Sequence, residues 1–305
     1  MEKYIKKLSD EQDVDMSKFS ENELKLLHYE EETFAAKEVL KLPPFSKERK
    51  DILSKGYDFA AKVMAEYRPQ SKISQGSDKR NVKLVCKFIE ELDNGKSINL
   101  YEAGVGKGYG CRFFLRYPHI NVMGCDLYID DNIRFLKSKY DKRINIEKNT
   151  FYDSLKHIED ENIDIFYADN VFEHLCPDEF PEIMKLLYKK LKKGAHLILI
   201  IPNKNVGPSD VSKLFKNMGE RAVGFHFMEQ SCHDVINGYR KFGFTNEYSV
   251  FRGGKNTWIA IKDEKLRFAY MKLMIENIIA VLPKTVVSRK LVNLFGLNCY
   301  VLKKS

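Results

Sequence analysis

Between Ile98 and Pro202, apolar runs of strand length alternate with amphipathic stretches, and this alternation limits the possible architectures more than any other feature. The runs are INLYEA (98–103), INVMGCD (120–126), INIEKN (144–149), IDIFYAD (163–169) and AHLILIIP (195–202). Between them YGCRFFLRY, DDNIRFLKSKY and PDEFPEIMKLLYKKLKK read as helices. Strands that alternate with helices require right-handed crossovers and a parallel sheet, because no tight turn can join a parallel pair. HLILII is apolar throughout, as a strand covered on both faces should be. Gly194 is expected to cap the helix before it. The expected fold class is α/β: a Rossmann-like, doubly wound, mostly parallel seven-stranded sheet with helices on both faces. An N-terminal helical segment and a C-terminal helical extension flank it.

The flanks have a different texture. In SENELKLLHYEEETFAAKEVL, Ser20 and Glu23 have capping-box spacing. LPPFS (42–46) breaks the helix, KERKDILSKGYDFAAKVMAEY resumes it, and RPQSKISQGS (68–77) reads as a loop. DKRNVKLVCKFIEEL (78–92) is a further helix, closed by Asp93-Asn94-Gly95. After Pro202 comes a loop-rich stretch, then a helix within 229–244 that ends at Gly243. TNEYSVF (245–251) and TWIAIK (257–262) read as strands, 264–296 as two helices parted by Pro283, and NCYVLKKS (298–305) as a terminal strand. Three divisions follow. Residues 1–95 form a lid or a substrate or oligomer contact, 96–250 a ligand-binding core, and 251–305 an extension that includes the last strand.

The chain has 305 residues, 44% hydrophobic and 31% charged. That is enough for a large core and too apolar for disorder. A net charge of +8 favours anionic partners. Nothing resembles an RNP1 segment, paired zinc-ligand cysteines or a basic zipper, so nucleic acid is not the expected partner. None of the six cysteines is paired as CxxC, which suits reduced thiols in cytoplasm. MEKYIKKLSDEQDVD is too charged for a signal peptide, and LMIENIIAVL (273–282) is too short to span a bilayer. The expected location is cytoplasmic, with peripheral contact to the inner membrane surface open through 265–296.

In SINLYEAGVGKGYGCRFF (97–114), glycines fall at 104, 106, 108 and 110, just after the first apolar run. Ligands of doubly wound sheets bind beyond the carboxyl ends of the strands, and glycine there lets the chain turn and a ligand touch the backbone. A dinucleotide site prefers G-x-G-x-x-G, but Tyr109 stands where its third glycine belongs. The spacing instead gives Glu102-Ala-Gly104-Val-Gly106-Lys-Gly108.

That motif resembles the first motif of the class I S-adenosylmethionine (SAM)-dependent methyltransferases, an acidic residue followed by G-x-G-x-G. VMGCD (122–126) resembles the family's second strand and terminal acid, and IDIFYADNVFEHL (163–175) its fourth strand and following loop. LYKKLKKGAHLILIIPN (187–203) and HFMEQSCHDVINGYRKFGF (226–244) resemble later segments, so the likeness covers about 97–250. It implies SAM as cofactor, bound by Glu102, Gly104, Val105, Gly106, Gly108, Asp126, Leu127 and Asn170. A carboxylate such as Asp126 can accept both ribose hydroxyls, and an acid at Glu102 suits the ammonium of the methionine moiety, directly or through the loop. The adenine contact stays open between Asn149 and Asp153, and Arg80 is a candidate for the SAM carboxylate.

Methyl transfer from a sulfonium needs in-line approach and desolvation, and a hydroxyl acceptor also needs a base. His174, in the loop after the fourth strand, and His226 are the candidate catalytic residues, with His233 beside the late helix. His28, His119, His157 and His196 read as structural or solvated. HLCPDE (174–179) reads as incidental, and no metal is expected. The resemblance thus implies a methyltransferase, O-directed, acting on a small molecule or a glycan-type or lipid-linked acceptor of polysaccharide biosynthesis. Homo-oligomers are compatible with it. A nucleotide-dependent oxidoreductase and a non-catalytic SAM-fold binding or assembly protein are the competing readings.

Overall fold

The computed structural model describes residues 16–68, 78–129, 131–215, 221–254, 257–263 and 265–305. Most of the loop expected at 68–77 lies outside the described residues. The chain forms two compact units. One is built from the described parts of 1–73, 174–179 and 208–228, the other from those of 74–173, 180–207 and 229–305. Among the described residues, no helix is long and apolar enough to cross a membrane.

The second unit holds one eight-stranded sheet in the order β3-β2-β1-β4-β5-β8-β6-β7. Its strands are β1 (Ile98–Ala103), β2 (Ile120–Asp126), β3 (Ile144–Lys148), β4 (Ile163–Asp169), β5 (Leu191–Ile200), β6 (Phe244–Arg252), β7 (Trp258–Lys262) and β8 (Cys299–Lys304). Strands β1 to β5 pair in parallel, and β8 enters antiparallel between β5 and β6. The eighth strand corrects the expected seven. TWIAIK pairs antiparallel with β6 as a hairpin at the sheet edge and adds to a sheet that β8 already completes.

Alternation along the strands sends side chains to two cores. On one face Leu100, Val122, Ile165 and Ile198 meet the inner sides of α3 (Lys79–Leu92), α4 (Tyr109–Phe114) and α5 (Asp131–Tyr140). The opposite face is aromatic. Tyr101 stacks on Phe166 with ring centroids 5.5 Å apart. Phe151, Phe172, Phe180 and Tyr239 extend the chain of rings, in the tilted and edge-on arrangements that aromatic quadrupoles favour. Helices α6 (Phe151–Lys156), α7 (Phe180–Lys190) and α8 (Cys232–Gly238) supply part of that layer. Gly194 differs from its expected role. Helix α7 ends at Lys190, strand β5 starts at Leu191, and Gly194 takes φ +79 at a register shift within the strand, a local irregularity that glycine accommodates. Helices α9 (Arg267–Val281) and α10 (Val286–Leu294) are parted at Pro283 as expected.

The first unit is helical. Ser20 accepts from Glu23 N and Glu23 returns a bond to the Ser20 backbone. This complete capping box opens α1 (Glu21–Lys41). Ser46 caps α2 (Lys47–Tyr67) after the LPPFS break. The buried guanidinium of Arg49 fastens α2 to 174–179. It reaches Asp178 at 3.0 Å and Glu179 at 2.8 Å, both charge-assisted bonds of the stronger kind.

Candidate active site

The glycine loop leaves the tip of β1 with Gly104, Gly106 and Gly108 at φ of +69, +52 and +74. Any other L-residue is strained there. Gly104 N and Val105 N both donate to Cys125 O, at 2.9 and 3.2 Å, which ties the root of the loop to β2. Gly108 N donates back to Val105 O at 2.9 Å, and α4 begins at the next residue. Gly110 is fixed for another reason. A Cβ there would collide with Glu102 Oε1. Glu102 is 1% exposed and accepts from the Cys111 thiol at 3.1 Å. Its carboxylate therefore lies against the first turn of α4.

Asp126 closes β2. Its Oδ2 accepts from Gly106 N at 2.8 Å and its Oδ1 from Tyr128 N at 3.0 Å. Burial pushes its carboxyl above the usual range, while the N–H groups of Tyr128, Gly106 and Leu127 pull the other way. Each carboxylate oxygen has two lone pairs, so acceptor capacity remains after these bonds. Asn149 N donates to Asp126 O at 3.0 Å, which sets that residue beside the β2 tip. Asp153 instead accepts from Thr150 Oγ1 at 3.0 Å in the first turn of α6.

At the tip of β4, Asn170 takes φ +55, and its N–H donates to Ile200 O at 2.9 Å. Asparagine tolerates this left-handed turn better than most residues. Beside it is a cluster that sequence reasoning missed. Asp169 Oδ2 accepts from Asn81 Nδ2 at 2.9 Å and from the Tyr167 hydroxyl at 3.0 Å. Asn81 Oδ1 accepts from Trp258 Nε1 at 2.7 Å. A signal is present in the sequence: Asn81 is a polar residue on the face of α3 that carries Val82, Leu84, Val85 and Phe88, and Trp258 is the chain's one tryptophan. Arg80 pairs with Asp78 at 2.9 Å. Its guanidinium also lies 5.3 Å from the Trp258 ring, within cation–π range. Glu173 is fully buried with neither carboxylate oxygen hydrogen-bonded. Desolvation pushes its carboxyl well above the usual range.

Two of the histidine candidates lie in the first unit. His174 and His226 meet edge to face, ring centroids 4.7 Å apart. His174 Nδ1 is 3.1 Å from Phe225 O. A carbonyl can only accept, so Nδ1 carries the proton and Nε2 is left as an acceptor. Burial, then the neighbouring His226, pull the His174 pKa down to about 3 against the carbonyl's opposing effect. The Phe225 peptide is held from its other side by Glu32, whose Oε1 accepts from Phe225 N at 2.9 Å. Glu32 Oε2 lies 3.1 Å from His28 Nε2, and His28 Nδ1 lies 2.7 Å from the Tyr67 hydroxyl. His28 is thus a buried structural member of this chain of bonds. His233, in the second unit, uses its backbone N–H to donate to Glu276 at 2.8 Å. His196 is buried in β5 between Phe88 and Tyr248. His157 is exposed and bonded to Glu147 at 2.8 Å.

The profile of a methyltransferase-domain family matches residues 101–199. No curated protein matches the chain in sequence. Among solved structures, the chain is similar to 1,6-didemethyltoxoflavin-N1-methyltransferase of Burkholderia thailandensis, at 12% identity and a TM-score of 0.48 over 70% of this chain and 88% of that one. It is also similar to a SAM-dependent methyltransferase of Archaeoglobus fulgidus, at 19% identity and a TM-score of 0.45 over 73% and 92%. The CurJ carbon methyltransferase aligns at 16% identity and a TM-score of 0.43 over 58% and 50%.

Proposed function

We propose that the chain, whose residues 101–199 match a methyltransferase-domain family, transfers a methyl group from SAM to a hydroxyl of a small-molecule or glycan-type acceptor. The observation that carries this reading is the pair of acids at neighbouring strand tips. Asp126 is half-buried yet keeps acceptor capacity, and Glu102 lies buried against the helix that follows a loop with three left-handed glycines. These residues fit SAM. Asp126 would accept the ribose hydroxyls and the backbone of Gly104 to Gly108 would hold the cofactor, with the turn at Asn170 on the same sheet edge. Tyr109 in place of a third motif glycine weighs against a dinucleotide.

Bound there, SAM supplies a methyl group already activated on sulfur. The remaining work for the protein is to exclude water, align the acceptor and remove its proton. His174 Nε2 is the acceptor atom of an imidazole that stays neutral down to about pH 3, so it orients a hydroxyl better than it retains a proton. A lipid-linked or polysaccharide intermediate in the cytoplasm is the acceptor class this reading favours.

Calorimetry with SAM and with NAD tests the cofactor. SAM alone should bind. Binding of NAD in its place would overturn the reading. Incubation with labelled SAM and glycan or phenolic hydroxyl acceptors should transfer label, and transfer confined to amines would overturn the O-directed part.

A further inference from the structure

Helix α9 buries two charged side chains beside Ala269 and Ile279 and exposes an apolar stripe. Its core-facing side carries Lys272 and Glu276, 2% and 3% exposed. Its outer side carries Tyr270, Met274, Ile278 and Val281, exposed by 58, 69, 59 and 83%. These four share one face, because steps of four, four and three residues return to nearly the same direction on a helix. The inner pair is fully engaged. Lys272 Nζ donates to Val250 O at 3.2 Å and Gly296 O at 2.8 Å. Glu276 accepts from Asn203 Nδ2 at 2.7 Å, Cys232 N at 2.6 Å and His233 N at 2.8 Å. Rolling the helix to bury the outer stripe would orphan all five bonds, so the orientation is locked.

The apolar surface continues past the end of α9. Leu282, Val286 and Val287, in the turn and at the start of α10, are exposed by 39, 66 and 63%. At the other end Phe268 meets Phe251 edge-on at 5.8 Å, and Phe251 stands in register with the half-exposed Ile259 of β7. A contiguous exposed apolar surface of this kind marks an interaction site. Along its own segment the exposed charges have one sign. From residue 265 to residue 305 the exposed charged side chains are Lys265, Arg267, Lys284, Arg289 and Lys290, and the only acidic side chain, Glu276, is buried.

We propose that the α9–α10 face docks on an anionic lipid bilayer. A bilayer interface takes both components at once, with the apolar stripe among the acyl chains and the basic residues at the headgroups. A second copy of the chain fits less well, because a two-fold contact would set this basic rim against itself. The proposal does not depend on methyl transfer, so each can fail without the other.

The test is co-sedimentation of the full chain with vesicles of phosphatidylcholine alone or of equal parts phosphatidylcholine and phosphatidylglycerol, with light scattering for oligomeric state. The chain should sediment with the anionic vesicles and be released by salt. Ile278→Asp with Val281→Asp should weaken binding about tenfold or more, as apolar contact is lost. Arg289→Glu with Lys290→Glu, on exposed positions where misfolding is not at issue, should weaken it about twenty-five-fold or more, since each basic residue near the surface contributes roughly fivefold. Circular dichroism and melting temperature should not move in the second pair. Absence of binding to anionic vesicles, equal binding by the charge-reversed chain, or a wild-type dimer that these variants dissociate would each overturn the proposal.

Discussion

The loop between β1 and α4 takes its form from backbone, whereas the surroundings of His174 take theirs from side chains drawn from distant stretches of the chain. In the loop, positive φ values and one missing Cβ define the path, and the acids beside it, Glu102 and Asp126, stand on consecutive strands. Around His174, the Phe225 carbonyl fixes the tautomer, Glu32 holds the Phe225 peptide, His28 holds Glu32, and Tyr67 holds His28. Glu32 and Phe225 are 193 positions apart. A backbone device tolerates almost no substitution at its glycines but needs few partners. A relay of side chains tolerates conservative changes, provided each donor keeps an acceptor.

That contrast predicts graded effects. Gly110→Ala should be the most damaging, because the new Cβ would overlap the buried Glu102 carboxylate. A loss of about 3 kcal/mol in urea-unfolding stability is expected, the upper range for overpacking a close-packed site; a loss below about 0.5 kcal/mol would show that the carboxylate moves freely and that the loop is not rigid. Glu32→Ala leaves the Phe225 N–H without an acceptor. It should come next, at about 1–3 kcal/mol, the usual cost of a buried unsatisfied donor. Glu32→Gln should recover most of that loss, because an amide can still accept from Phe225 and donate to His28. If the glutamine variant is as unstable as the alanine variant, the site needs charge rather than hydrogen-bond matching.

The loop is legible from sequence because its determinants are local. A glycine at every second position after a strand-like run, with an acid two residues before the first glycine, shows itself within one short segment. The strands around it are legible too, since INLYEA, INVMGCD and IDIFYAD occupy the observed β1, β2 and β4. The edge hairpin is harder. TWIAIK has the texture of a strand, but only β8 entering between β5 and β6 makes it an eighth one. Gly194 reads as a helix cap in isolation, and only pairing with β4 draws Leu191 to Lys193 into the strand. The Asn81–Asp169–Trp258 cluster and the Glu32–Phe225 contact are out of reach, because each joins residues whose proximity is a product of the whole fold.

The smallest expected effect concerns Glu173, just past the end of β4. Its carboxyl titrates above the ordinary range in the folded chain, so the folded state holds a proton there that the unfolded chain has released. Stability should therefore fall as pH rises through and above the usual carboxylate range, and be highest on the acid side of this single transition. Glu173→Gln keeps the shape without the titration, and unfolding curves should show that part of the slope removed. An unchanged slope would mean that the carboxylate has a compensating partner in solution.

Titration of SAM into the wild-type chain and into Asp126→Ala, by calorimetry at one pH and salt concentration, is the most direct test of the claim that the two strand tips bind the nucleoside. Hydrogen bonds from two hydroxyls to a partly buried carboxylate predict an affinity loss of about 1–3 kcal/mol, or roughly 5- to 150-fold, with the folded state intact. Equal affinity for both proteins would contradict the account, because the acid at the tip of β2 would then have no part in holding the cofactor.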